Sequence, residues 1–238
     1  MAAQNPPGKR AQNRAEVEVL LLTTARSHLA QHGAAALSLR AIARDMGLAP
    51  SALFRYISSR DDLLTTLITT TYRELGEEVR QAEAAVSRSD HHARWTAITT
   101  TFRNWAVAHP HDYALLYGSP VPDYHAPAEV TNEPGNMVLN LLITLVHDIH
   151  AAQVATHEPK NSPARYDNDL ATAAVRDLMS DPALAGIPAR MVVGALAAWN
   201  LVLGSLSSEL FEQLGPDVGD PQIRFALTST LAYRLVTG

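Results

Sequence analysis

Ala43, Gly47 and Pro50 stand at intervals that leave the chain around them few ways to fold. Two short helices can cross with their backbones close only if the first carries a small residue at the crossing, and Ala43 supplies it. The turn between them needs a residue that tolerates positive φ, which is Gly47. Pro50 suits the first turn of the second helix, where its missing N–H is not needed. Ser38 is placed to cap the first helix, expected over 39–46, and the second is expected from Pro50 to about Tyr56. Ile42, Met46, Leu48, Leu53 and Ile57 then fall on one apolar seam. This is the spacing of a helix-turn-helix.

The rest of the pattern is helical too. Val17, Leu20, Leu21, Thr24 and Leu29 predict a helix over 15–32, stopped by Gly33. Ser59 and Asp62 form a weak capping box for a long helix running to about Val86. Trp95, Ile98, Phe102 and Trp105 share one face of a helix over 91–108, which His109-Pro110 ends. A short helix over 111–117 precedes a Pro-rich loop to Pro127. Asn132 is expected to cap a helix to about His157, and Ser162-Pro163 to start another to about Met179. Pro188 and Pro221 open the last two, about 188–214 and 221–236. No segment alternates with period two between hairpin turns, so no sheet is expected. The expected division is a flexible basic arm over 1–13, a reading head over 14–60 and a helical body over 61–238.

Charge separates these parts. Residues 1–60 hold eight Lys/Arg against three Asp/Glu, whereas residues 61–238 hold eleven against twenty-one. A basic head on an acidic body implies that the head meets an anion. The absence of cysteine excludes disulfides, thiolate metal sites and thiol catalysis. The first fourteen residues have no apolar core of a secretory leader. The eighteen uncharged residues between Arg190 and Glu209 approach the length of a membrane span, but Gly194, Asn200, Gly204 and Ser205 interrupt them. They read as a helix buried on several faces of a cytoplasmic protein, with no membrane partner.

Residues 15–64 resemble the DNA-binding domain of TetR-type transcriptional regulators. The resemblance lies in the helix ending at Gly33, in Leu37-Ser38-Leu-Arg-Ala-Ile-Ala, in Met46-Gly-Leu-Ala-Pro-Ser-Ala-Leu-Phe-Arg-Tyr-Ile and in Ser59-Arg-Asp-Asp-Leu-Leu64. The run from Trp105 to Pro122 is similar to one subgroup of the family's C-terminal domains, common in actinobacterial regulators. The resemblance implies an all-α fold: an N-terminal three-helix DNA-binding domain followed by a helical bundle for ligand binding and dimerisation. It also implies roles for individual residues. Ser38 would cap the second helix and touch phosphate, and Arg40 would reach a base or phosphate. Ser51, Ala52 and Phe54 would face the major groove, Tyr56 would meet phosphate, and Arg60 would stand at the start of the long helix. Phe54 replaces a common tyrosine and can pack on a thymine methyl but not bond to phosphate. Arg44 and Arg55 either join this surface or solvate helix faces; Phe54 and Tyr56 could instead belong to the seam.

The implied function is a repressor that binds a palindromic double-stranded DNA operator and is released by a small molecule. The alternative is an all-α binding protein or enzyme with a vestigial head. No nucleophile elbow, phosphate loop or metalloprotease motif is present, so no catalytic residue is assigned. His91, His92, His109, His111, His147 and His150 lack the spacing of a ligand set, so neither metal nor cofactor is expected. Phe102, Trp105, Tyr117, Met137, Met179 and Trp199 are candidates to line a cavity for an apolar or aromatic ligand, or are ordinary core. The last two helices carry more apolar faces than one chain's core can cover, which points to a homodimer seam there. Asn200, polar within that stretch, needs a partner if buried.

Overall fold

The computed structural model describes residues 9–156, 168–215 and 217–237, and among these every regular element is helical. The chain divides into two compact units. The first runs to Tyr72 and also takes in His109–Pro134; the second comprises Arg73–Ala108 and Gly135 onward. The expected boundary after residue 60 therefore differs from the grouping of the helices: the first half of the long helix and a later excursion of the chain belong with the head.

In the first unit, α1 spans Lys9–His32. Residues 9–13, expected within a flexible arm, are helical. No glycine or proline interrupts the chain after Gly8, and Arg14 pairs with Glu18 one turn on at 2.8 Å. Leu21, Ala25 and Leu29 recur every four residues and are buried. Gly33, at φ 76°, ends the helix with its N–H bonded to the Leu29 carbonyl at 2.9 Å. A 3₁₀ turn, Ala34–Ala36, leads to α2 (Leu39–Asp45), capped by the Ser38 hydroxyl, which accepts from the Ala41 N–H at 3.5 Å. Gly47 turns the chain at φ 69°. Pro50 opens α3, which is only Pro50–Leu53; the chain then turns to Tyr56, so the helix expected to reach Tyr56 is a single turn. Ile42, Ala43, Leu53 and Ile57 are almost fully buried together, with Met46 packed against them. Full burial of a Leu or Ile contributes about 1.5–3 kcal/mol, so this small head depends on each.

The long helix α4 spans Arg60–Ala84. Ser59 Oγ accepts from the Asp62 N–H at 3.0 Å, but the Asp62 carboxylate returns to Ser58, accepting from its N–H and hydroxyl at 2.8 Å each. Leu63, Leu64 and Leu67 complete the head's core.

In the second unit, α5 (His91–Ala108) buries Trp95, Ile98, Phe102 and Trp105 as one stripe. The chain then returns to the first unit for α6 (Pro110–Tyr117) and α7 (Ala128–Gly135). Asn132, expected to cap a helix, lies inside α7. Helix α7 carries Pro134 in its last turn and ends at Gly135; the break falls at Asn136, after which α8 (Met137–Ala155) starts. Ser162-Pro163 lies outside the described residues. Beyond it, α9 is short, Asn168–Ala174, and Met179 sits in a 3₁₀ segment rather than at a helix end. The last helices are α10 (Ala189–Leu210) and α11 (Pro221–Thr237). The expected run to residue 214 stops at Leu210 in turns through Glu212, at φ 51°. Helices α10 and α11 pack along each other so closely that a Cβ on Gly194 would meet the Leu235 carbonyl. By length and composition α8 and α10 could each cross a membrane; α10 is packed against α5, α8, α9 and α11.

Buried polar groups pin these helices. Trp95 Nε1 donates to the Ser229 carbonyl and hydroxyl at 3.0 Å each. Arg94, fully buried, donates from Nε to Glu83 at 2.6 Å and from Nη1 to Asp148 at 2.7 Å, tying the end of α4 to α5 and α8. Arg103 meets Glu209 through two bonds of 2.5 and 3.0 Å.

Candidate nucleic-acid interface

Around the crossing of α2 and α3 the head leaves several polar and basic side chains in water. Ser38, Arg40, Arg44, Ser51, Phe54 and Arg55 are exposed, while Ala52 and Tyr56 are half-buried. Phe54 is 54% exposed, so it is not part of the seam. An aromatic ring held in water at the end of a single-turn helix is costly unless something covers it. Tyr56 packs against the head's core while its hydroxyl has no hydrogen bond among the described residues. Arg40 and Arg55 have no carboxylate partner among the described residues. Arg44 reaches its neighbour Asp45, Nε to Oδ1 at 3.3 Å, with 78% of its side chain exposed.

Arg60 differs from the rest. Its Nη2 donates to the carbonyls of Ala34 and Ala35 at 3.1 Å each, and Nη1 lies 3.7 Å from Asp61. It fastens the 3₁₀ turn to the start of α4. Its basic charge stands at the expected place, but much of its donor capacity is spent inside the head.

Two further contacts were not legible in the sequence. His28, buried on α1, meets Asp45 at the end of α2, Nε2 to Oδ2 at 2.8 Å. That hydrogen bond holds the Asp45 carboxyl below its ordinary 3.8, aided by Arg44 and opposed by burial. Arg14, on the early part of α1, lies over the Tyr56 ring, 5.9 Å from its centroid. Neither pairing has a sequence signal, because both join positions far apart in the chain.

The candidate ligand residues are drawn from both units. Phe102 and Trp199 touch, ring centroids 5.3 Å apart and tilted 57°. Trp105 is buried on the same helix as Phe102. Met137 packs on Gly76, where a Cβ would come within 2.6 Å of its own. Met179 is half-buried in its 3₁₀ segment. Tyr117 belongs to the other unit, edge-on to Tyr72 at 6.0 Å and tilted against Tyr113 at 5.3 Å. Burial pushes its hydroxyl well above the usual phenol range. None of the six lines the cleft of about 230 Å³ between α5 and α11, which Trp95, Thr96, Thr100, Arg103, Phe225 and Thr230 border.

Several histidines have structural partners. His147 Nε2 lies 2.8 Å from the Ala183 carbonyl, and the His92 ring stands edge-on to Tyr233. Asp148, between the two helical histidines, is taken by Arg88 and Arg94. Among the described residues no three His, Asp or Glu side chains form a metal-binding group.

A compact head with an intact crossing, a glycine turn and an exposed basic and aromatic surface, carried on a helical body, defines a helix-turn-helix DNA-binding protein. Comparison with known proteins specifies it further. Residues 21–67 match the family model of bacterial regulatory proteins of the tetR family, and residues 95–232 match that of the tetracyclin repressor-like C-terminal domain. The HTH-type transcriptional regulator Rv1816 of Mycobacterium tuberculosis (strain ATCC 25618 / H37Rv) is 37% identical over 222 residues, covering 92% of this chain and 91% of the relative. The regulator Mb1846 of Mycobacterium bovis aligns with the same identity and coverage. The crystal structure of SCO4313 superposes with a TM-score of 0.76 at 27% identity, over 96% of this chain and 98% of that one. The chain belongs to the TetR family of helix-turn-helix transcriptional regulators.

Proposed function

We propose that this regulator is a cytoplasmic repressor that binds a palindromic operator as a homodimer and leaves it when a small apolar or aromatic molecule occupies its body. The observation that carries the reading is the joint exposure of Arg40, Ser51, Phe54 and Arg55 around α3, on a head with a surplus of positive charge. Ser51, Ala52 and Phe54 would read base edges; Ser38, Arg40, Arg44, Arg55 and Tyr56 would hold phosphates and set register. Arg60 would chiefly support the turn behind them.

A dimer is supported by the unpartnered apolar faces of the last two helices. Ile223, Leu227 and Leu231 recur every four residues along α11 and are 61%, 63% and 56% exposed. Leu196 and Leu201 on α10 are exposed as well, and so is Asn200 between them. A second copy covering these residues would remove the stripe from water and give Asn200 a symmetric partner. Two heads would then read half-sites about 34–36 Å apart. Ligand release is a shift between populations of conformers. Because α4 is one continuous helix contributing to both units, a ligand beside Phe102, Trp105 and Trp199 would act on head spacing through it. Selection of duplexes from a random library, followed by mobility shift, tests the reading. A symmetric site bound by two chains, with affinity falling steeply as salt rises, is expected. Failure to enrich any sequence would overturn it.

A further inference from the structure

We infer that Arg14 is a DNA-phosphate contact that carries the binding surface from the helix-turn-helix on to the first helix; the inference rests on the DNA-binding reading above. Residues 12–16 of α1 are all exposed, so burial does not account for this stretch of the helix. They also precede the residues that match the family's DNA-binding domain, which begin at residue 21. What orders Arg14 is a pair of side-chain contacts. Its Nε donates to Glu18 at 2.8 Å, and its guanidinium lies over the Tyr56 ring, 5.9 Å from the centroid. Both contacts leave the terminal amino groups without an acceptor among the described residues, on a side chain that is 63% exposed.

The Tyr56 hydroxyl beside it also has no hydrogen bond among the described residues, and Arg55 is exposed next along the chain. Two donors with no acceptor among the described residues, with a second exposed arginine next to Tyr56 in the chain, suit a phosphodiester oxygen. The cation–π contact with Tyr56 and the bond to Glu18 hold the guanidinium in place before DNA arrives, so less freedom is lost on binding. Arg14 thus adds a contact that holds the backbone and carries no base preference.

The test uses the full-length chain and two duplexes about 30 base pairs long, enough for two half-sites one turn apart. One is selected from a random library by the wild-type protein; the other has random sequence. Arg14→Gln is expected to weaken binding to both by a similar factor, about five- to tenfold at moderate salt. The slope of log affinity against log salt should fall by about one per bound head. Arg190→Gln, which removes the same charge from the other unit, should leave both quantities unchanged. In the unmodified protein, an arginine-specific dicarbonyl reagent should label Arg14 freely alone and slowly with duplex bound, whatever the variant's folding. Wild-type affinity and slope in a folded Arg14→Gln, or equal labelling free and bound, overturns the inference. A wild-type chain that selects no duplex overturns the DNA-binding reading itself.

Discussion

The imidazole of His28 and the carboxylate of Asp45 meet at 2.8 Å, joining the first helix of the head to the end of the second. His28 is 8% exposed, so its ring depends on that partner. His28→Ala is expected to cost about 1–3 kcal/mol, through a lost hydrogen bond and a small cavity. The pairing also has a pH signature. The folded-state pKa of Asp45 lies below its ordinary value, so its stabilising share is present above 3.8 and is lost as pH falls through the lowered value. The gap in stability between wild type and Asp45→Asn should therefore narrow as pH falls below 3.8 into strong acid. Denaturant titrations across that range check it; a gap that grows on acidification would refute the assignment.

Arg103 and Glu209 are 11% and 12% exposed and share two hydrogen bonds. Breaking such a pair from one side strands a buried charge, at a cost of about 3–5 kcal/mol. Arg103→Met and Glu209→Leu are each expected to destabilise by that amount, and the double variant to recover most of it. Unfolding curves for the cycle of four proteins measure the coupling.

At Gly194 the constraint is steric. Its α carbon is close to the Leu235 carbonyl across the α10–α11 contact, with no room for a methyl group. Gly194→Ala should lose about 1–3 kcal/mol by overpacking, although alanine favours helix by up to about 1 kcal/mol. A more stable variant in thermal melts would show that the two helices part easily.

Leu227, 63% exposed on the apolar stripe of α11, is the sharpest probe of self-association. Leu227→Glu should yield monomers in sedimentation and lose cooperative operator binding while keeping wild-type helicity. A variant that still dimerises would move the seam elsewhere.

On the reading surface, Arg40→Ala should cost about 1–3 kcal/mol of operator binding and leave the melting temperature unchanged, since the side chain is exposed. Tyr56→Phe removes the hydroxyl and keeps the ring against the core, so it separates phosphate contact from packing. Mobility shifts on a selected operator decide both.

The sequence by itself determined what depends on near neighbours along the chain. Gly33 ends α1, Gly47 adopts the positive φ its turn demanded, Ser38 caps α2, and Trp95, Ile98, Phe102 and Trp105 share one buried face. A helix is specified by contacts within four residues, so its period and ends are written locally. Where local signals competed, boundaries slipped: Asn132 fell inside α7 and the break moved to Asn136, and a single turn sufficed after Pro50. Only tertiary structure decided which distant faces oppose each other. It placed Arg14 over Tyr56 and His28 against Asp45, and it turned Arg60 inward to the Ala34 and Ala35 carbonyls. It buried Arg94 between Glu83 and Asp148, it set Tyr117 against Tyr72 and Tyr113, and it set Phe102 against Trp199. An arginine at a helical position looks the same in sequence whether it ends in water, on a ring or in an ion pair. Its surroundings are set by how helices pack, and packing is a property of the whole chain.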